Sequence, residues 1–139
     1  MVIVIAGILS AVVANRISLT KFDTDGYADQ VKAAVRYAQK VAVAQRRSVY
    51  LVVSATDVSL CYDAACTSAV TEPPKSSAFK PPAPGGVTPS TASDFFFDSL
   101  GRPRITSTTA LATSTLTLTL TSSDRTRTLS IEPETGFVH

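Results

Sequence analysis

Two arginines separated by one proline are the side chains of this sequence best equipped for chemistry. Gly101-Arg-Pro-Arg104 sets Arg102 and Arg104 two positions apart. A guanidinium fork takes phosphate oxygens bidentately, so the motif could capture a polyanion such as DNA. The alternative is a structural turn with surface arginines. Arg125 and Arg127 repeat the spacing further along and are expected beside the first pair. Cys61 and Cys66 are the only cysteines, and Cys-Tyr-Asp-Ala-Ala-Cys lacks the two-residue gap of redox and zinc motifs. Its spacing suits a small disulfide loop at a strand end, which places the domain in an oxidising compartment. A pair of reduced thiols in a cytosolic hairpin is the alternative.

Other chemistry is poorly supplied. The single histidine is His139, so a Ser–His–Asp or Cys–His arrangement would need an unusual terminal base. Asp23 and Asp25 in Phe-Asp-Thr-Asp-Gly look like a piece of a calcium loop, but the later ligands and the closing Glu are missing. A turn-and-cap role fits them better. No glycine-rich phosphate cradle leads into Lys-Ser or Lys-Thr. The expectation is a protein with no catalytic residue, no metal and no cofactor.

The elements that must position these side chains follow from periodicity. The chain has 139 residues, enough for one real core, with a net charge of only +2. Met1 to about Leu19 reads as an apolar helix. Thr20-Lys-Phe-Asp-Thr-Asp-Gly26 reads as a break, with Asp25 as cap of the next helix and Asp29 in its first turn. Tyr27 to about Arg47 reads as a second helix or a continuation of the first, with Tyr27, Val31, Ala34, Val35, Ala38, Val41, Ala42 and Gln45 on one face. Lys32, Arg36, Lys40 and Arg47 run along another, as a solvated stripe or as a contact with a neighbour or polyanion.

The period then changes to that of strands. Val49–Val53 reads as a buried strand and Val58–Cys61 as its hairpin partner. Residues 72–92 hold Pro73, Pro74, Pro81, Pro82, Pro84, Pro89, Gly85 and Gly86, and read as a loop without regular structure. Phe95–Phe97 is a short strand supplying core aromatics, and Ser99–Pro103 a turn. In Ser114–Thr121, Leu116, Leu118 and Leu120 alternate with threonines, so one face is buried. Thr126–Ile131 follows as its partner, with Leu129 and Ile131 on one face. Glu132–Gly136 turns the chain into a last short strand at Phe137–Val138. Helix first and antiparallel strands after predicts an α+β architecture, with helix packed on sheet.

The N-terminal run, Met1-Val-Ile-Val-Ile-Ala-Gly-Ile-Leu-Ser-Ala-Val-Val-Ala14, is almost purely apolar. It is short of the roughly 20 residues that span a bilayer, and it lacks the basic flank and cleavage site of a secretory signal. It resembles the N-terminal helix of type IV pilins and type II secretion pseudopilins, starting a few residues inside the mature protein. Ala33-Ala-Val-Arg-Tyr-Ala-Gln-Lys-Val-Ala-Val-Ala44 is similar to the second half of the long helix in the minor-pilin family that includes pseudopilin H and FimT. Phe97-Asp-Ser-Leu-Gly-Arg-Pro103 and Ile131-Glu-Pro-Glu-Thr-Gly-Phe-Val-His139 are similar to segments of MSHA-pilus minor pilins in that family. FimT-type pilins bind DNA through a Gly-Arg-x-Arg motif, which Gly101–Arg104 matches.

The resemblance implies a type IV pilin-like fold, a long N-terminal helix packed on an antiparallel sheet head. Residues 1–25 would be the membrane and filament-core helix with its break. Residues 26–139 would be the head, helical over 26–47 and β-rich over 48–139. The implied function is a minor pilin or pseudopilin that waits in the inner membrane and then enters a periplasmic or extracellular filament. Its partners would be other pilin subunits, the inner-membrane assembly machinery and lipid, with DNA as a possible ligand. Val2, Ile3, Ile5, Ile8, Leu9 and Val12 would pack against neighbouring helices, and the small Ala6, Gly7, Ser10 and Ala11 would allow close approach. Mature members carry a Glu at the fifth position, and Met1 would fall just after it. Two other readings stay open: a DNA-uptake pilin using Arg102 and Arg104, and an anchored exported domain unrelated to pili.

Overall fold

The computed structural model describes residues 2–14, 19–75 and 77–139. Two helices, α1 (Val2–Ala14) and α2 (Leu19–Gln45), precede seven strands: β1 (Val49–Val53), β2 (Val58–Cys61), β3 (Thr88–Thr91), β4 (Phe95–Phe97), β5 (Pro103–Ile105), β6 (Leu116–Thr121) and β7 (Thr126–Ile131). The strands form two antiparallel sheets, ordered β2-β1-β4-β5 and β3-β6-β7. α2 contacts strands of both sheets and ties them into one head.

The apolar stripe of α2 is the reason. Tyr27, Ala28, Val31, Ala34, Val35, Ala38, Val41 and Ala42 are all buried. The alanines bring the helix axis close to the strands, and the larger side chains meet Leu51, Leu60, Phe95, Phe97, Leu118, Leu120 and Ile131 in one core. Each fully buried Val, Leu or Phe there contributes roughly 1.5–3 kcal/mol. Gln45, expected on this face, is exposed at the helix end.

Three local expectations are corrected. The break at Thr20–Gly26 is absent, because α2 runs through it from Leu19. Tertiary contacts hold this turn helical against its propensities: Thr24 is buried and donates to Ser122 at 3.1 Å, and Asp25 accepts from Arg125 and Arg127. Asp25 is therefore an interior position and caps nothing. The proline-rich segment 72–92 contains β3, with Pro89 opposite Leu120. Proline is tolerated there because β3 is the last strand of its sheet. Finally, β5 follows directly on the Gly101 turn, and no periodicity marks its three residues.

The rest of the proline-rich segment is strapped down. Leu60 N–H donates to Phe79 O at 3.2 Å, and Val70 N–H donates to Leu60 O at 2.8 Å. Tyr27 Oη donates to Pro81 O at 3.1 Å, and Tyr37 stacks on Phe79 with centroids 5.2 Å apart. Burial, with the nearby Asp57 charge second, pushes the Tyr27 hydroxyl up to about 12. Cys61, at the end of β2, is joined to Cys66 by a disulfide that closes the small loop.

Candidate functional site

Two turns far apart in sequence converge on one side chain of α2. Gln39 Nε2 donates to Gly101 O at 2.9 Å and to Thr135 O at 2.7 Å. Gly101 closes the turn after β4, its N–H donating to Asp98 O at 2.8 Å. Gly136 closes the turn after β7, its N–H donating to Glu132 O at 3.0 Å. Both glycines have positive φ, 78° and 68°, a region glycine enters without steric penalty. A Cβ on Gly136 would stand 2.6 Å from Gln39 Nε2, 2.8 Å from Gly101 O and 2.9 Å from Phe97 Cε1.

Asp98 organises the Gly-Arg-Pro-Arg motif. Its Oδ1 accepts the N–H groups of Leu100 (2.9 Å) and Arg102 (3.0 Å). Its Oδ2 accepts Nε of Arg102 (3.2 Å) and of Arg104 (3.0 Å). Arg104 Nη1 also donates to Thr109 O at 2.9 Å. Burial alone would raise the Asp98 carboxyl. The Arg102 amide, the Arg104 guanidinium, the Leu100 amide and the Arg102 charge outweigh it and hold the group below its ordinary value of 3.8. One buried carboxylate thus fastens both arginines to the turn that β4 and β5 flank.

Arg125 and Arg127 do not join that pair. Both engage Asp25, and the Arg127 hydrogen bond is the chief cause holding that carboxyl low. Asp25 and Gln39 lie fourteen residues apart on one helix, about 21 Å at 1.5 Å per residue. The two arginine pairs therefore sit at opposite ends of α2, and no four-arginine patch forms. Of the basic stripe, Arg36 donates to Val138 O at 3.2 Å, and Arg47 lies 3.6 Å over the Tyr62 ring.

The third feature is α1. Its thirteen residues are apolar, alanine, glycine or serine on every side. Val2, Ile3, Val4, Ile5, Ile8 and Leu9 are 58–87% exposed; the side chain of Val12 lies outside the described residues. Among the described residues no helix is long and apolar enough to cross a membrane, and α1 alone is about 20 Å long against a hydrocarbon core of about 30 Å.

A family model described as type II transport protein GspH matches residues 27–135, more than half of the chain. The chain belongs to the GspH family. It is a structural subunit of the pilin and pseudopilin class. Two solved structures show the same fold as this GspH-family chain. The type IV minor pilin FimU of Pseudomonas aeruginosa is 17% identical, with 86% of this chain and 89% of that one covered and a TM-score of 0.59. The minor pseudopilin EpsH from the type 2 secretion system of Vibrio cholerae is 10% identical, with 84% and 94% covered and a TM-score of 0.60. No curated protein matches the sequence.

The matched GspH segment contains Gln39 with its two acceptors Gly101 O and Thr135 O, the Asp98 cluster and the Cys61–Cys66 loop. Sequence reasoning singled out Arg102 and Arg104 but missed Asp98 and Gln39. Asp98 had a signal: an aspartate opening a turn accepts backbone amides just ahead of it. Gln39 had none, since a glutamine on a helix reads as solvated until the two turns are seen to arrive.

Proposed function

We propose that this GspH-family chain is a minor subunit of a type IV pilus or type II secretion filament, with its affinities nearest the MSHA pilus. The observation that carries the reading is α1. It is apolar on all sides, and the head leaves the large side chains from Val2 to Leu9 exposed. A helix of this kind is stable only when surrounded by lipid or by other helices. Lipid surrounds it in the inner membrane before assembly, and the helices of other pilin subunits surround it in the filament. Six large apolar side chains passing from water into such a bundle contribute on the order of 10 kcal/mol. The head then stands in the periplasmic or extracellular space, where the Cys61–Cys66 disulfide persists.

The test is the position of the chain in its own cells. The full-length protein is expected in sheared or periplasmic filaments together with the other subunits. Ile5→Asp, which places a charge in the helix bundle at roughly 3 kcal/mol or more, should reduce its share of the filament fraction at least tenfold. A wild-type chain confined to the membrane fraction would sink the proposal.

DNA capture through Arg102 and Arg104 is the weaker reading, because Nε of both is spent on Asp98. Replacing both by Ala should lower the melting temperature by several degrees, since Asp98 is left without its cations. Mobility-shift assays should show no salt-steep DNA binding that these substitutions remove. Such a loss would reverse the order of the two readings.

A further inference from the structure

α2 buries one side against the two sheets and leaves the other bare. Arg36 and Lys40 of the basic stripe belong to a regular pattern on that bare side. Phe22, Gly26, Asp29, Ala33, Arg36 and Lys40 are all exposed, and they follow one another at steps of 4, 3, 4, 3 and 4 residues. Those steps trace the contact line between two packed helices. An open groove of about 480 Å³ runs beside Ala33, Arg36 and Lys40, which leaves room for a second helix to approach. Asp29 is the one acid on the line, and two cations follow it. Asp29 and Lys40 make no ion pair among the described residues. Arg36 gives Nη2 to Val138 O at 3.2 Å and keeps four other N–H donors.

A second α2 laid parallel along this line has few registers open to it, because equivalent layers recur every seven residues. With no displacement, Asp29 faces Asp29, Arg36 faces Arg36 and Lys40 faces Lys40, and all three layers repel. Displaced by seven residues, Asp29 faces Arg36, Gly26 faces Ala33, and no like charges share a layer. The two small residues let the axes come close beside the ion pair. Displaced by fourteen, Asp29 faces the apolar Val43 and the layer of opposite charges is gone. The line is complementary to itself in one parallel register, with an axial offset of about 10.5 Å at 1.5 Å per residue.

We propose that this face of α2 docks a second copy of the chain, with Asp29 of one copy against Arg36 of the next. Each copy offers Asp29 to one neighbour and Arg36 to another, so the contact is heterologous and propagates along an open helix. Charge sets the register, whereas burial of α1 supplies most of the affinity. Antiparallel pairing would also bring Asp29 to Arg36, but copies that share a membrane or a bundle through α1 run parallel. The proposal rests on the subunit reading above.

Two differently tagged full-length chains, produced together in the native cells, test it. Capture through one tag from the isolated filaments should bring down the other. Asp29→Arg in both chains should cut that yield at least about tenfold, and so should Arg36→Asp, because each puts like charges in the pairing layer. The two substitutions combined on one chain restore opposite charges there, and should return the yield to within about threefold of wild type. Both positions are exposed, so each single variant should melt within a few degrees of wild type. Full yield in either single variant, or no recovery in the combined one, overturns the proposal. A wild-type chain present in filaments whose two tags never come down together also overturns it, and leaves the subunit reading intact. A wild-type chain absent from filaments overturns both readings together.

Discussion

Gly136→Ala is expected to lower the free energy of unfolding by about 3 kcal/mol. Two costs combine. At φ 68° an L side chain carries roughly 1–2 kcal/mol of backbone strain. The new methyl would also stand within 3 Å of Gln39 Nε2, Gly101 O and Phe97 Cε1. Two of these cannot swing aside: a backbone carbonyl, and a fully buried ring in the middle of a sheet. The third is the amide that ties both turns to α2, so displacing it also weakens the bonds to Gly101 O and Thr135 O. Thermal unfolding of the full-length chain in detergent should show a drop of roughly 10 °C or more. Gly26→Ala is the control. That glycine lies within α2 with open space around its Cβ position, and the substitution should be neutral or stabilising by up to about 1 kcal/mol. Equal melting temperatures for wild type and Gly136→Ala would contradict the close packing of the two turns on Gln39.

Asp98→Ala is expected to cost about 3 kcal/mol. It leaves Arg102 and Arg104 without their shared carboxylate and removes the acceptor of two backbone amides. Both arginines are about one-third exposed, so water recovers part of their charge and keeps the loss near the low end for a broken buried pair. The same site gives a pH signature. The Asp98 pKa is lower in the folded chain than its ordinary 3.8. The folded state therefore binds its proton less readily than the unfolded state. The stabilisation is complete above the unfolded value and is lost as pH falls through the folded one. Asp25, Asp57 and Asp63 are lowered too, so the informative quantity is the difference from Asp98→Asn. At pH 7 the variant should be the less stable. As pH falls below the ordinary value of 3.8 the two curves should begin to converge, because the unfolded chain takes up the proton before the folded one, and they meet only once pH has fallen through the lower folded value. A constant difference down to pH 2 would show that the Asp98 charge contributes nothing.

The two effects share a cause. The segments Phe97–Pro103 and Ile131–His139 hold their form through glycines that turn the chain against α2. That docking fixes β5 and the end of β7.

The elements with strong periodicity were legible in the sequence. Leu116, Leu118 and Leu120 alternate with threonines, and the Tyr27–Ala42 stripe repeats at helical spacing. In both cases one face must leave water, so pattern alone determines strand or helix. The all-round apolar character of Val2–Ala14 likewise determined that this segment needs lipid or helices around it. What the sequence left open was each position where a distant residue outvotes local preference. Asp25 and Gly26 read as a turn, yet Arg125 and Arg127, about a hundred positions away, keep that stretch helical. Pro89 reads as a strand breaker, yet its missing N–H faces outward on the last strand of a sheet and is never needed. Arg102 and Arg104 read as free cations until Asp98, Leu100 and the β4–β5 turn are assembled around one carboxylate. Gln39 reads as solvated until two carbonyls arrive to meet it. Local periodicity reports which face is buried; only the tertiary structure decides which polar groups, brought from far along the chain, satisfy one another and which are left to bind something else.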